Sequence, residues 1–180
     1  MTAYLKLALP AALSFAVAAP AAAQALDPIS IRLLASQNAE RARVGVPPLA
    51  WDRALAASAA SYGPVLAALG RLQHSPRDTR PGQRENLWMG TRGAFSPERM
   101  VSTWISERRF FRPGIFPDVS TTGNWLDVSH YTALIWPTTT RVGCAIHQTP
   151  DWDFLICRYS PPGNIDGRPI PQTAAGLRAR

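Results

Sequence analysis

Lysine all but vanishes from this chain: Lys6 is the only one, and every later cation is an arginine. Cysteine is nearly as scarce, at Cys144 and Cys157 alone, and histidine occurs three times. Each scarcity excludes something. Two cysteines with no second pair at usable spacing do not build a thiolate zinc site. The arginines are scattered from Arg32 to Arg180, with no basic cluster interleaved with aromatic rings, so nucleic acid is not an expected partner. There is no G-x-S-x-G elbow, no P-loop, no G-x-G-x-x-G and no HExxH helix. Internal repeats and inter-domain linkers are absent too. No apolar run is long enough to cross a bilayer.

What is present begins with a leader. Lys6 precedes an apolar stretch over 7–19, and Ala23-Gln24-Ala25 supplies a small-residue cleavage site. Residues 1–25 therefore read as a secretory signal peptide. Cleavage would leave 155 of the 180 residues and a formal charge of +6 from the original +7. That length suits one domain with a sizeable core. Export places the protein in a periplasm or outside the cell, with no transmembrane segment once the leader is gone. In such a compartment Cys144 and Cys157, on apolar runs joined by "QTPD", are expected to pair across a hairpin and contribute about 2–3 kcal/mol.

Helical signals dominate the first half. "DPISIRLLASQNAERARVG" reads as a helix stopped at Gly45, and Leu55, Ala59, Tyr62, Leu66 and Leu69 mark the buried face of a second. Pro64 is expected to kink or split that helix. Residues 70–86 read as loop, and Ser96-Pro97 opens a third helix. Strands are expected around 131–137, 141–147 and 152–159, after a long connection over 112–129. Helices first and strands late give an α+β class with helices on an antiparallel sheet.

Glu107 is the most informative single residue. Its spacing from Met100, Trp104 and Phe111 sets a carboxylate on an apolar helical face, where it needs a partner. A pair with Arg108 or Arg109 is the plain alternative. Otherwise the partners are drawn from His74, Glu85 and His130, whose two imidazoles and two carboxylates could orient one another or hold a divalent metal.

Several ordered motifs carry a resemblance across residues 33–167: "QNAERARVGVPPLAWD" (37–52), "HS" (74–75), "RENLWMG" (84–90), "WISERRFF" (104–111), "SHYTALIWPTTTRVGC" (129–144) and "CRYSPPGNIDG" (157–167). The chain resembles the CAP superfamily of cysteine-rich secretory proteins, antigen 5 allergens and plant pathogenesis-related class 1 proteins, as a bacterial exported member would. The resemblance implies a three-layer α-β-α sandwich with a central antiparallel sheet. It divides the chain into the leader, a CAP domain over 26–167 and a flexible tail over 168–180. It also implies a cleft tetrad of His74, Glu85, Glu107 and His130, with His74 and His130 as the ligands where zinc or another divalent cation is bound.

The departures from the family pattern are specific. Ser129 and Ala133 replace the family Gly and Gln, and Arg84 stands where Gly usually precedes the Glu, a cation expected to favour ionised Glu85. The function this implies is ligand or partner binding through the cleft, with no confident catalytic residue. The alternatives are a metal-assisted hydrolase on peptide or cell-envelope substrates, with Glu85 or Glu107 as general base, and a lipid or sterol carrier. The carrier would use Trp88, Met89, Phe95 and the 112–129 connection.

Overall fold

The computed structural model describes residues 25–170; residues 1–24 of the leader and the last ten residues lie outside the described part. Helix α1 spans Pro28–Arg43, capped by Asp27, whose side chain accepts the Ser30 N–H. A two-residue strand β1 (Ala50–Trp51) leads into α2 (Arg53–Leu69), capped by Asp52 and closed by Gly70 in the left-handed region. Strand β2 covers Arg84–Thr91, and α3 covers Pro97–Ser106 under its Ser96 cap. A 3-10 turn over Glu107–Phe110, the short β3 (Gly114–Ile115) and a further 3-10 turn over Trp125–Val128 lead to α4 (Ser129–Leu134). Strands β4 (Arg141–Gln148) and β5 (Trp152–Ser160) form the hairpin, and β6 (Pro169–Ile170) pairs with β3.

The main sheet runs β1-β4-β5-β2, antiparallel except for the short parallel β1–β4 pairing. Strand alternation sends its side chains into two separate cores. Leu87, Phe154 and Ile156 meet Ala59, Tyr62 and Leu66 of α2. Trp88, Leu155, Cys157 and Tyr159 belong to the other core, with residues of α1, α3 and α4 such as Leu33, Met100, Trp104 and Leu134. The architecture is thus α+β in three layers: α2, the sheet, then the remaining helices. Covered on both faces, β5 is buried from Asp153 to Tyr159. On its approach to the sheet, α2 lies so close that a Cβ on Gly143 would stand 2.2 Å from the Ala56 nitrogen.

Cys144 faces Cys157 in the β4–β5 register, and the two form a disulfide. Four expectations need correction. Residues 129–134 form a helix, not the start of a strand over 131–137. Residues 131–136 are buried throughout, a pattern that a helix satisfies as well as a strand, and the first turn is capped from a distant part of the chain. Residues 84–86 belong to β2 and not to a loop. Helix α2 is not split at Pro64, because burial of Tyr62 and Leu66 on the sheet offsets the missing hydrogen bond. Past Gly167, Pro169–Ile170 pairs with β3 and Ile170 is buried, so the folded body reaches at least that residue.

Candidate functional site

The structure arranges the four singled-out residues as two His–Glu pairs. Glu85, in the second position of β2, is buried. Its Oε1 lies 2.8 Å from His74 Nδ1 and accepts the Ser75 N–H at 3.0 Å; its Oε2 accepts the Ser75 hydroxyl at 2.8 Å. Arg158, from β5, completes the shell with Nη2 at 3.1 Å from Oε2. Burial raises the Glu85 pKa, but the bonds from His74 and Ser75 and the Arg158 charge outweigh it, and the net shift is downward. The cation that favours ionised Glu85 is therefore Arg158, not the adjacent Arg84, whose guanidinium makes no contact with that carboxylate.

Glu107 sits where α3 gives way to its 3-10 turn. Its Oε1 lies 2.6 Å from His130 Nδ1, and its Oε2 accepts the backbone N–H groups of His130 and Tyr131, each at 3.0 Å. One carboxylate thereby orients an imidazole and caps the first turn of α4, which has no cap of its own. The alternative, an arginine pair, does not form: Arg108 lies 3.5 Å from Glu40, and Arg109 stacks on Phe110. Beneath His130 the Trp104 ring stacks almost parallel, 10° between planes with centroids 6.1 Å apart.

No hydrogen bond runs directly between the two pairs among the described residues. Asn86 links them, since it follows Glu85 on β2 and its amide donates to the His130 carbonyl at 3.0 Å. A cavity of about 370 Å³ opens at His74, Ser75, Glu85, Trp125 and Ser129. The His74 side chain is 55% exposed and that of His130 30%, whereas Glu85 is fully covered. Because each carboxylate accepts, each Nδ1 donates, and Nε2 carries the lone pair of the neutral ring.

Reading the sequence missed the supporting residues Arg158, Asn86, Tyr159 and Gln37. Tyr159 donates to Gln37 at 2.7 Å and accepts from Asn86 at 3.4 Å. Arg158, a cation inside the apolar run "FLICRY", was the available signal. The apolar surface assigned to Trp88 and Met89 does not exist as one patch. Consecutive strand residues face opposite layers, so Trp88 packs in one core under Phe95 and Met89 against the other.

With this geometry in place, the comparisons decide the family. The family model of CAP, the cysteine-rich secretory protein family, matches residues 34–159. The chain belongs to the CAP family. It is similar to pathogenesis-related protein 1C of Nicotiana tabacum, 36% identical over 137 residues that cover 75% of this chain and 76% of that one. A second relative, the PR-1 type pathogenesis-related protein of Sambucus nigra, is 36% identical over 135 residues, covering 74% and 76%. Among solved structures, NaASP2 with Zn2+ superposes with a TM-score of 0.69 at 20% identity, covering 82% of this chain and 87% of that one. The CAP fold accounts for the layer order, and the His–Glu pairs lie inside the matched region.

Proposed function

We propose that this CAP domain works after export, in a periplasm or outside the cell, as a binding module that takes a ligand or partner into its His–Glu cleft without turning it over. In this reading residues 1–25, of which 1–24 lie outside the described part, act as the export signal. The Cys144–Cys157 bridge suits an oxidising compartment and supports it. No described helix is long and apolar enough to cross a membrane.

One observation carries the reading: both imidazoles commit Nδ1 to a carboxylate, and Nε2 has no hydrogen-bond partner among the described residues. That is the arrangement by which carboxylates orient metal-binding histidines, and it serves equally to accept a hydrogen bond from a ligand. A divalent cation such as zinc would be held by His74 and His130 and would supply positive charge to the cleft. The donor set is thin, because among the described residues no three His, Cys, Asp or Glu side chains gather as ligands. Catalytic zinc ordinarily takes three protein ligands. The carboxylates are spent as well: Glu85 accepts from His74, Ser75 and Arg158, and Glu107 from His130 and two backbone N–H groups. Neither is free as a general base, and the Ser75 hydroxyl is already donated.

The test is zinc titration of the purified protein beside His74→Ala and His130→Ala. Stoichiometric binding lost in both variants places the cation on the two imidazoles. Turnover of a peptide or envelope substrate that depends on added zinc would overturn the non-enzymatic reading.

A further inference from the structure

The cleft beside the His–Glu pairs holds more positive charge than the protein neutralises. Arg77, Arg80 and Arg84 line both the 370 Å³ cavity and an adjoining one of about 590 Å³, and Trp125 is common to the two. Arg80 is buried and held in place, its Nε donating to the Ser75 carbonyl at 3.2 Å and Nη1 to that of Gln83 at 2.8 Å. Glu85 stands 4.0 Å away, with its charge already shared with Arg158. Arg77 and Arg84 have no acidic partner among the described residues.

Arg84 is the telling case. Four described arginines are not exposed: 41, 80, 84 and 158. Arg41 donates to the carbonyls of Pro47, Leu134, Trp136 and Thr139, Arg80 to two carbonyls, and Arg158 pairs with Glu85. Arg84 lacks any such acceptor, and its guanidinium carbon lies 5.9 Å from the centre of the Trp125 ring. Burial and then the charges of Arg77 and Arg80 lower its pKa. With no acceptor among the described residues and none of its nitrogens sealed from solvent, this half-buried guanidinium is open to an acceptor from outside the chain. The remaining charged groups of the lining are Glu85, which is paired, and the exposed Asp166 in the larger cavity.

We infer that this cleft is a binding site for a tetrahedral oxyanion, a phosphate or sulfate ester group held by the guanidinium groups of Arg77, Arg80 and Arg84, with the rest of the ligand lying against Trp125. Guanidinium forks match such oxygens in geometry as well as charge. The inference deepens the binding reading by naming a ligand class for the same cleft, yet it requires neither imidazole nor any metal.

The experiment is a titration of the folded, metal-free protein with inorganic phosphate and with inorganic sulfate, followed by heat. In parallel, the protein is sedimented with phosphatidylcholine vesicles, with and without phosphatidic acid. Arg84→Gln should weaken binding about tenfold, as expected for loss of one charge-assisted pair, and Arg84→Lys by less. Arg109→Gln, an exposed arginine away from the cleft, should leave binding unchanged. Saturable binding of the free anions without sedimentation identifies a soluble ligand. Sedimentation that depends on phosphatidic acid and is lost in Arg84→Gln identifies a lipid headgroup. Absence of saturable binding to either probe overturns the inference, as does equal weakening by Arg84→Gln and Arg109→Gln, which would mean bulk charge alone. Loss of zinc binding with retained phosphate binding would remove the metal and leave the anion site standing.

Discussion

At the scale of single residues, Glu107 has two duties that a sequence reveals unequally. Its place three residues after Trp104, seven after Met100 and four before Phe111 announces a carboxylate in need of a partner. Which partner it finds depends on α4, 23 positions further along, whose first N–H groups it caps. Glu107→Ala should therefore destabilise the protein by about 2–3 kcal/mol, the scale of losing hydrogen bonds to a charged acceptor. Urea denaturation would show it, and a shift below about 0.5 kcal/mol would mean that the α4 cap is dispensable. His74 and His130 were legible in the same limited sense. Their rarity and setting mark them out, but their grouping into pairs required β2, α3 and α4 to be placed in space.

At the scale of elements, the hairpin of β4 and β5 was plain, because two apolar runs flank a four-residue turn and carry one cysteine each. Helix α4 was not. Its six residues are too few to display a full helical period, and "HYTALIW" suits a buried strand as well as a buried helix. Strand β2 was hidden for a different reason: Glu85 and Asn86 are polar residues at buried positions, the reverse of the usual pattern. Helix α2 was legible in its apolar face, but not in how close it comes to the sheet. Gly143 permits that approach, so Gly143→Ala should drive a methyl into the α2 backbone at Ala56 and Asp52. A loss of about 3 kcal/mol is expected, since backbone cannot yield as a flexible side chain can. A thermal midpoint equal to that of the original protein would show that α2 can retreat freely.

At the scale of the whole molecule, the α+β class followed from helices early and strands late and the three layers from the family resemblance, whereas the joint between layers followed from neither. Tyr159 is that joint, fully buried on β5 and bonded to Gln37 of α1 and Asn86 of β2. Burial raises its pKa well above the ordinary tyrosine value. The folded state thus keeps the phenolic proton longer than the unfolded chain does. The stability this gives is complete below the unfolded pKa of about 10 and is lost as pH rises past it. Melting points measured from pH 8 to 11 should fall on the alkaline side, and Tyr159→Phe should make that fall shallower. Tyr131 and Tyr62, also raised mainly by burial, keep it from vanishing. An identical alkaline slope in Tyr159→Phe would rule out Tyr159 as a source.

Glu85 and Asn86 stand side by side on β2, one bonded to His74 and the other to the backbone at His130. A slip of one residue would turn each to the opposite face and break both links at once. The cleft is therefore a checksum on strand registration, complete only in a chain whose sheet has been aligned correctly.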